Sequence, residues 1–163
     1  MKFKKLYLDM DGVLTDFEEK FAQRFGYPAM SVRARKNFST EWPIFVKEKL
    51  FEELKWHEGG KELLAFIRQY PIEVEILSSS GGLEFHEEVK EQKKVWLKAN
   101  GIDYKANVVP GRSKKKQYAQ PDTILIDDMV DNTDQFTEAG GVGIHHTDLG
   151  KTLKTLKVLL EIH

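Results

Sequence analysis

Two acidic pairs, Asp9-x-Asp11 and Asp127-Asp128, each follow a short apolar run, and they are the residues of this chain best placed to do chemistry. Leu6-Tyr7-Leu8 leads into Asp9-Met10-Asp11-Gly12-Val13, and Thr123-Ile124-Leu125-Ile126 leads into Asp127-Asp128. Between them Ile76-Leu77 runs into Ser78-Ser79-Ser80. Apolar runs of this length read as buried strands, so three strand ends carry acid, hydroxyl and acid. An Asp-x-Asp-Gly at a strand end suits phosphoryl transfer. The first carboxylate can attack phosphorus and form an aspartyl phosphate. The second can protonate the leaving oxygen and later activate water. Gly12 lets the chain turn away tightly. Asp127-Asp128 can help bind Mg²⁺, a hard cation that prefers oxygen ligands. Ser78 can hydrogen-bond a phosphoryl oxygen, and a lysine is needed to screen the nucleophile from a dianionic substrate.

These residues need elements to carry them. Candidate strands are Phe3–Asp9, Ile72–Ser78, Ala106–Val109, Thr123–Asp127 and Val142–His145. Helical spacing links Phe17, Phe21, Ala22 and Phe25, with Gly26 as a stop. Leu50, Phe51 and Leu54 mark a second apolar face. Leu63, Leu64, Phe66, Ile67 and Tyr70 mark a third, ended by Pro71. Val89, Trp96, Leu97 and Ala99 define a helix closing at Asn100-Gly101, and Leu149, Leu153, Leu156, Leu160 and Ile162 define a C-terminal one. Strands alternating with helices predict a parallel sheet with right-handed crossovers. Ligands bind such sheets outside the carboxyl ends of the strands, which is where the acidic pairs fall. The connection from the first strand to the second, about residues 15 to 71, is unusually long. Its part from about 17 to 56 reads as a helical insertion over that edge, where long insertions often act as lids. The rest, about 1–16 and 57–163, forms the core of a single domain.

Composition sets wide bounds. The 163 residues are 40% hydrophobic and 31% charged, with a formal net charge of −1. That suits a globular protein and does not point to a general nucleic-acid or membrane binder. There is no cysteine, so disulfides, thiolate metal sites and a cysteine nucleophile are excluded. A cytoplasmic location is expected, since a cysteine-free chain suits a reducing compartment. Neither a secretory signal nor a transmembrane helix is read.

The stretch Asp9-Met10-Asp11-Gly12-Val13-Leu14-Thr15-Asp16-Phe17 resembles motif I of the haloacid dehalogenase (HAD) superfamily. Ile76-Leu77-Ser78-Ser79 resembles motif II, and Ile124-Leu125-Ile126-Asp127-Asp128 resembles motif IV. Within that superfamily the chain looks most like the 5′(3′)-deoxyribonucleotidases and their phage and bacterial relatives, through Phe17, Leu77-Ser78-Ser79, Lys93 to Trp96, and Ala139-Gly140-Gly141-Val142-Gly143-Ile144. The resemblance spans nearly the whole chain and is weakest between Gly26 and Leu50. It implies an α/β fold, a Rossmannoid three-layer sandwich with a parallel sheet and a small helical cap after strand one. It implies a phosphatase that uses Mg²⁺, with a (deoxy)nucleoside monophosphate as substrate. By motif position Asp9 is nucleophile and metal ligand. Asp11 is acid/base and offers the metal its backbone carbonyl. Asp128 is the preferred motif IV ligand, and Asp127 binds directly or through water. Ser78 and Ser79 hold phosphate; Ser78 stands where the family commonly has threonine. The screening lysine is one of Lys114, Lys115 and Lys116, with Lys115 fitting best, and Lys93 is a second phosphate contact.

Plainer readings accompany each of these. Asp-x-Asp-Gly alone is often a turn, Asp127-Asp128 could cap a helix, and a lysine run is usually a solvated face. His145-His146 lacks a matching ligand set and reads as structural. Arg33, Arg35 and Lys36 read as insertion surface, and Trp96 as core. Phe17 and Trp42 could be core, or could stack on a base. Alternatives to the nucleotidase are a phosphatase for a sugar phosphate or for a 3′-phosphorylated DNA end, and a silent nucleotide-binding module.

Overall fold

The computed structural model describes all residues, 1–163. Five strands form its sheet: β1 (Lys5–Leu8), β2 (Glu73–Ser79), β3 (Ala106–Val109), β4 (Thr123–Asp127) and β5 (Val142–His145). All pairings are parallel and the order is β3-β2-β1-β4-β5. Every residue of β4 is buried, as an apolar run covered on both faces requires. Three strands have the bounds expected from sequence. β1 is shorter than expected, because it pairs only from Lys5, where the register with Glu73 and Thr123 begins.

Register positions the acids. Leu8 lies opposite Ile76 of β2 and Ile126 of β4. The next residues along these central strands therefore emerge side by side at the carboxyl edge, and the Asp9 N–H still donates to Ile126 O at 3.0 Å.

Six α-helices connect the strands: α1 (Phe17–Phe25), α2 (Val32–Lys47), α3 (Gly60–Ile67), α4 (His86–Ala99), α5 (Val130–Glu138) and α6 (Leu149–Leu160). Asp16 caps α1 by accepting the Glu19 N–H at 3.0 Å, and Gly26 ends it in the left-handed region at φ 88°. Ser31 caps α2 by accepting the Ala34 N–H at 3.1 Å. Pro43 lies inside α2, where its missing N–H frees the carbonyl of exposed Ser39. The apolar face at Leu50–Leu54 is not an α-helix but a 3₁₀ turn over Leu50–Glu53, too short a stretch for more. A second 3₁₀ segment, Arg112–Tyr118, and the helix α5 were not expected. α5 is polar, with Phe136 as its one buried large apolar residue, and gives little periodic signal.

Residues 17–56 leave and re-enter the sheet region at one point. Thr15 and Trp56 form an antiparallel bridge, the Asp16 N–H donates to Lys55 O at 2.9 Å, and the His57 N–H donates to Leu14 O at 2.8 Å. The excursion carries α1, α2 and the first 3₁₀ turn, packed around Phe21, Phe45 and Phe51 in continuity with the main core. Two buried side chains of α4 fasten it. Trp96 Nε1 donates to Leu54 O at 2.7 Å, and Gln92 Nε2 donates to Val46 O at 2.7 Å. No helix is long and apolar enough to cross a membrane.

α5 approaches β5 so closely at Gly143 that a Cβ there would overlap the backbone carbonyl of Thr133. Gly143→Ala should lower unfolding stability by about 1–3 kcal/mol in urea titration. Gly111→Ala, facing open space on an extended backbone, should stay within about 0.5 kcal/mol of the parent.

Candidate active site

At the carboxyl edge the chain packs four carboxylates and two buried lysines. Asp9 is 5% exposed and Asp127 fully buried. Lys115 lies between them, with Nζ 3.1 Å from Asp9 Oδ1 and 2.7 Å from Asp127 Oδ2. Both oxygens of Asp127 are engaged. Oδ1 accepts the Met129 N–H at 2.9 Å, and Oδ2 accepts from Lys115 and from Asn132 Nδ2 at 3.1 Å. Asp11 is held from two sides, its Oδ1 accepting from Thr15 Oγ1 at 2.8 Å and its Oδ2 from Lys93 Nζ at 3.1 Å. Asp128 stands over Gly12. With φ +84° and no room for a Cβ against the Asp128 carboxylate, only glycine fits there.

The crowding shows in the protonation equilibria. Burial, then the charge of Asp127, pushes the Asp9 carboxyl well above the usual carboxylate range, against the pull of Lys115. Burial, then Asp127 and Asp11, pushes Asp128 up to about 6. Lys115 is raised too, but toward its charged form: burial opposes it, and the charges of Asp9 and Asp127 hold it up to about 12. It is therefore a permanent cation between two acids.

The residues present fit a hard divalent cation. Asp9, Asp127 and Asp128 can each turn one oxygen to within 4.8 Å of the others. All donors are oxygen, as Mg²⁺ prefers, and a cation would relieve the strain that drives Asp9 and Asp128 toward protonation. The side-chain oxygen of Asn132, buried and without a partner, is a further free oxygen donor. Asp9 and Asp128 are the better direct ligands, because Asp127 already accepts three hydrogen bonds.

A cavity of about 770 Å³ opens above this floor and is lined by Asp9, Asp11, Asp128, Lys115, Ser78 and Ser79. Phe17 and Trp42 line the same cavity from the insertion. Of the three adjacent lysines, Lys115 alone is buried. Lys93 does not line the cavity. Its three ammonium hydrogens are matched by Asp11, by Ser78 Oγ at 2.6 Å and by the Ser79 carbonyl at 2.8 Å, so it holds Asp11 and the serine turn from behind. His146 is buried, its Nδ1 2.7 Å from Thr152 Oγ1, and burial lowers its pKa. Exposed His145 sets its Nε2 3.0 Å from the Asp128 carbonyl. Sequence reasoning missed Asn132 and Arg112, both of which line the cavity. Asn132 sits five residues beyond Asp127, in the first turn of a helix after a strand. Arg112 is a lone arginine before a lysine run, with no local signal.

No family model matches the chain, and no curated protein matches it. Solved structures match its fold. A haloacid dehalogenase-like family hydrolase from Xanthomonas campestris superposes with a TM-score of 0.62 at 14% identity, over 98% of this chain and 92% of that one. A hydrolase from Streptococcus pneumoniae TIGR4 gives a TM-score of 0.53 at 15% identity, over 96% of this chain and 100% of that one. D,D-heptose 1,7-bisphosphate phosphatase from Burkholderia thailandensis gives 0.50 at 14% identity, over 93% and 84%. The chain has the fold of the haloacid dehalogenase-like hydrolases.

The raised Asp128 has a measurable consequence. A carboxyl lifted from 3.8 to about 6 on folding contributes stability to the metal-free protein that is fully present below about pH 4 and is lost as pH rises through about 6. Between pH 5 and 7 the metal-free parent should lose melting temperature relative to Asp128→Asn, a comparison in which the opposite titration of His146 cancels. Saturating Mg²⁺ should raise the melting temperature of the parent at pH 7 and not that of Asp128→Asn. Parallel pH profiles for the two proteins would contradict the assignment.

Proposed function

We propose that the protein is a Mg²⁺-dependent phosphomonoester hydrolase that works through an aspartyl phosphate on Asp9 and acts on a nucleoside monophosphate, as a 5′(3′)-deoxyribonucleotidase does. The observation that supports it is the convergence of Asp9, Asp11, Asp128 and Lys115 on the floor of one cavity, with Lys115 bonded to Asp9 and Asp11 separately braced.

Each residue then has a defined task. Asp9 attacks phosphorus with a carboxylate oxygen as the ester P–O bond breaks, and the leaving oxygen takes a proton from Asp11. Water then attacks the phosphorus of the acyl phosphate, Asp11 takes its proton, and release of phosphate regenerates Asp9. Thr15 and Lys93 fix the direction of the Asp11 carboxyl through both steps. Lys115 offsets the charge of the nucleophile as the dianion approaches. Asp9 and Asp128, with Asp127 behind them, would hold Mg²⁺, which when bound would supply neutralisation of the phosphate charge. Ser78 and Ser79 border the same space and offer the phosphate a hydroxyl and turn amides. Residues 17–56 act as the cap, and Phe17 and Trp42 belong to its cavity wall.

Phosphate release from 5′- and 3′-nucleotides, sugar phosphates and 3′-phosphorylated DNA tests this reading. Chelation should abolish turnover on nucleotides, and Mg²⁺ should restore it. Asp9→Asn should lose several orders of magnitude in kcat while keeping its melting temperature, and borohydride trapping during turnover should label Asp9. Full activity of stripped protein in excess chelator, or a label on serine alone, would overturn the mechanism. Preference for sugar phosphates or DNA ends would keep the chemistry and remove the nucleotidase.

A further inference from the structure

Three rings run along one stripe of α2. Phe38, Trp42 and Phe45 are spaced i, i+4 and i+7, where helix side chains stack in a row. Phe38 and Trp42 lie 5.3 Å apart at 19°, and Trp42 and Phe45 lie 6.4 Å apart at 3°. Trp42 thus has a ring on either side along the row, and its six-membered ring abuts Gly81, where an added Cβ would lie 3.1 Å from Cζ2. Phe17 is similarly enclosed. It stacks on Phe51 at 5.5 Å and 4° and meets Phe21, Trp42 and Phe45 at steeper angles. The two aromatics singled out from sequence are therefore largely covered by other rings.

The row ends at Phe38. Trp42 is the one ring it packs against, it is 48% exposed, and it lines the cavity that also holds Asp9 and Lys115. A half-exposed phenylalanine whose outer face meets no other ring, at the mouth of a polar site, is an available stacking surface. The charges around the cavity give it a direction. Its lysine and arginine, Lys115 and Arg112, both come from the segment after β3. Its α1 side carries Asp16 and Glu18, and no lysine or arginine of residues 17–56 lines it. Asp16 gives one oxygen to capping α1, and one oxygen of Glu18 accepts the Met30 N–H at 3.4 Å, which leaves each carboxylate a second acceptor. A phosphate is drawn to the sheet end, and a second anion at the cap end would meet carboxylates. A flat, uncharged ring with N–H donors suits that end.

Building on the hydrolase reading, we infer that Phe38 is the stacking platform that selects the leaving group, and that the cap end takes an amino-bearing nucleobase and excludes a second phosphate. The test is affinity, measured by calorimetry on the otherwise unaltered protein in excess chelator, where the proposed Mg²⁺-dependent turnover does not interfere. Adenosine monophosphate, adenosine 3′,5′-bisphosphate and glycerol phosphate are the probes, each with and without Phe38→Ala. Stacking is worth about 1–3 kcal/mol per base, so Phe38→Ala should weaken the monophosphate about 5- to 150-fold and glycerol phosphate far less. Phe38→Trp should restore the monophosphate. The bisphosphate should bind more weakly than the monophosphate. An equal shift for monophosphate and glycerol phosphate, no shift for either, or tighter binding of the bisphosphate overturns the inference. These readings do not depend on catalysis. Failure of the parent protein to release phosphate from any ester would instead defeat the hydrolase proposal.

Discussion

Four carboxylates meet two ammonium groups at the carboxyl edge of the sheet, and the rest of the site follows from that imbalance. Lys115 answers Asp9 and Asp127, and Lys93 answers Asp11. Asp128 has no cation within ion-pair distance. If all the acids ionise, two negative charges remain at the floor of the cavity, where Asp9 and Asp127 are buried. Burial and the like charges at this range disfavour ionisation, which is why the Asp9 and Asp128 carboxyls move up toward protonation, while the neighbouring carboxylates raise Lys115 and keep it charged. A divalent cation matches the surplus in sign and size. The arrangement costs the metal-free fold stability, and any attraction of this site for a divalent cation would be largely electrostatic.

The sheet makes this concentration of charge possible. Acids on one loop could move apart, whereas Asp9 and Asp127 extend from adjacent strands locked in register at Leu8 and Ile126. The Asp9 N–H is still bonded to β4, and Asp127 is pinned by Met129, which leads into α5, and by Asn132 in the first turn of that helix. That helix is in turn held against β5 at Gly143. Sheet order thus sets the separation of the acids, and helix packing fixes how far they can relax.

Legibility in the sequence divided along the same line. β3, β4 and β5 could be read to their ends because each is an apolar run between turn residues, and the acids follow two of the strands directly. α5 could not be read, because its task is polar: Asn132 and its amide ends serve Asp127, and one phenylalanine makes its core contact. Lys114, Lys115 and Lys116 were indistinguishable as a string. In a 3₁₀ segment successive side chains point about 120° apart, so only one of the three faces Asp9. Lys93 was expected to contact phosphate, and nothing in the sequence marked it as the brace of Asp11, since that contact joins positions 82 apart in the chain. Phe17 and Trp42 were found by their size. That their faces are covered by Phe51, Phe38 and Phe45 depends on how α2 packs over the 3₁₀ turn, which no local pattern records.

α4 joins the two halves of the problem. On consecutive turns it presents Gln92 and Trp96 to the carbonyls of the insertion and Lys93 to Asp11. Gln92 and Lys93 are neighbours, so a shift of the insertion that pulls on Val46 O would also pull on the backbone carrying the ammonium that orients Asp11. The opposite hinge is equally short. Thr15, which donates to Asp11, forms the bridge to Trp56 where the insertion returns. Of the two hydrogen bonds that orient Asp11, one comes from Thr15, which bridges the returning insertion at Trp56, and the other from Lys93, the chain neighbour of Gln92, which fastens it. On the proposed mechanism, a displacement of the insertion would therefore reach the orientation of Asp11 through two short connections and without a longer pathway.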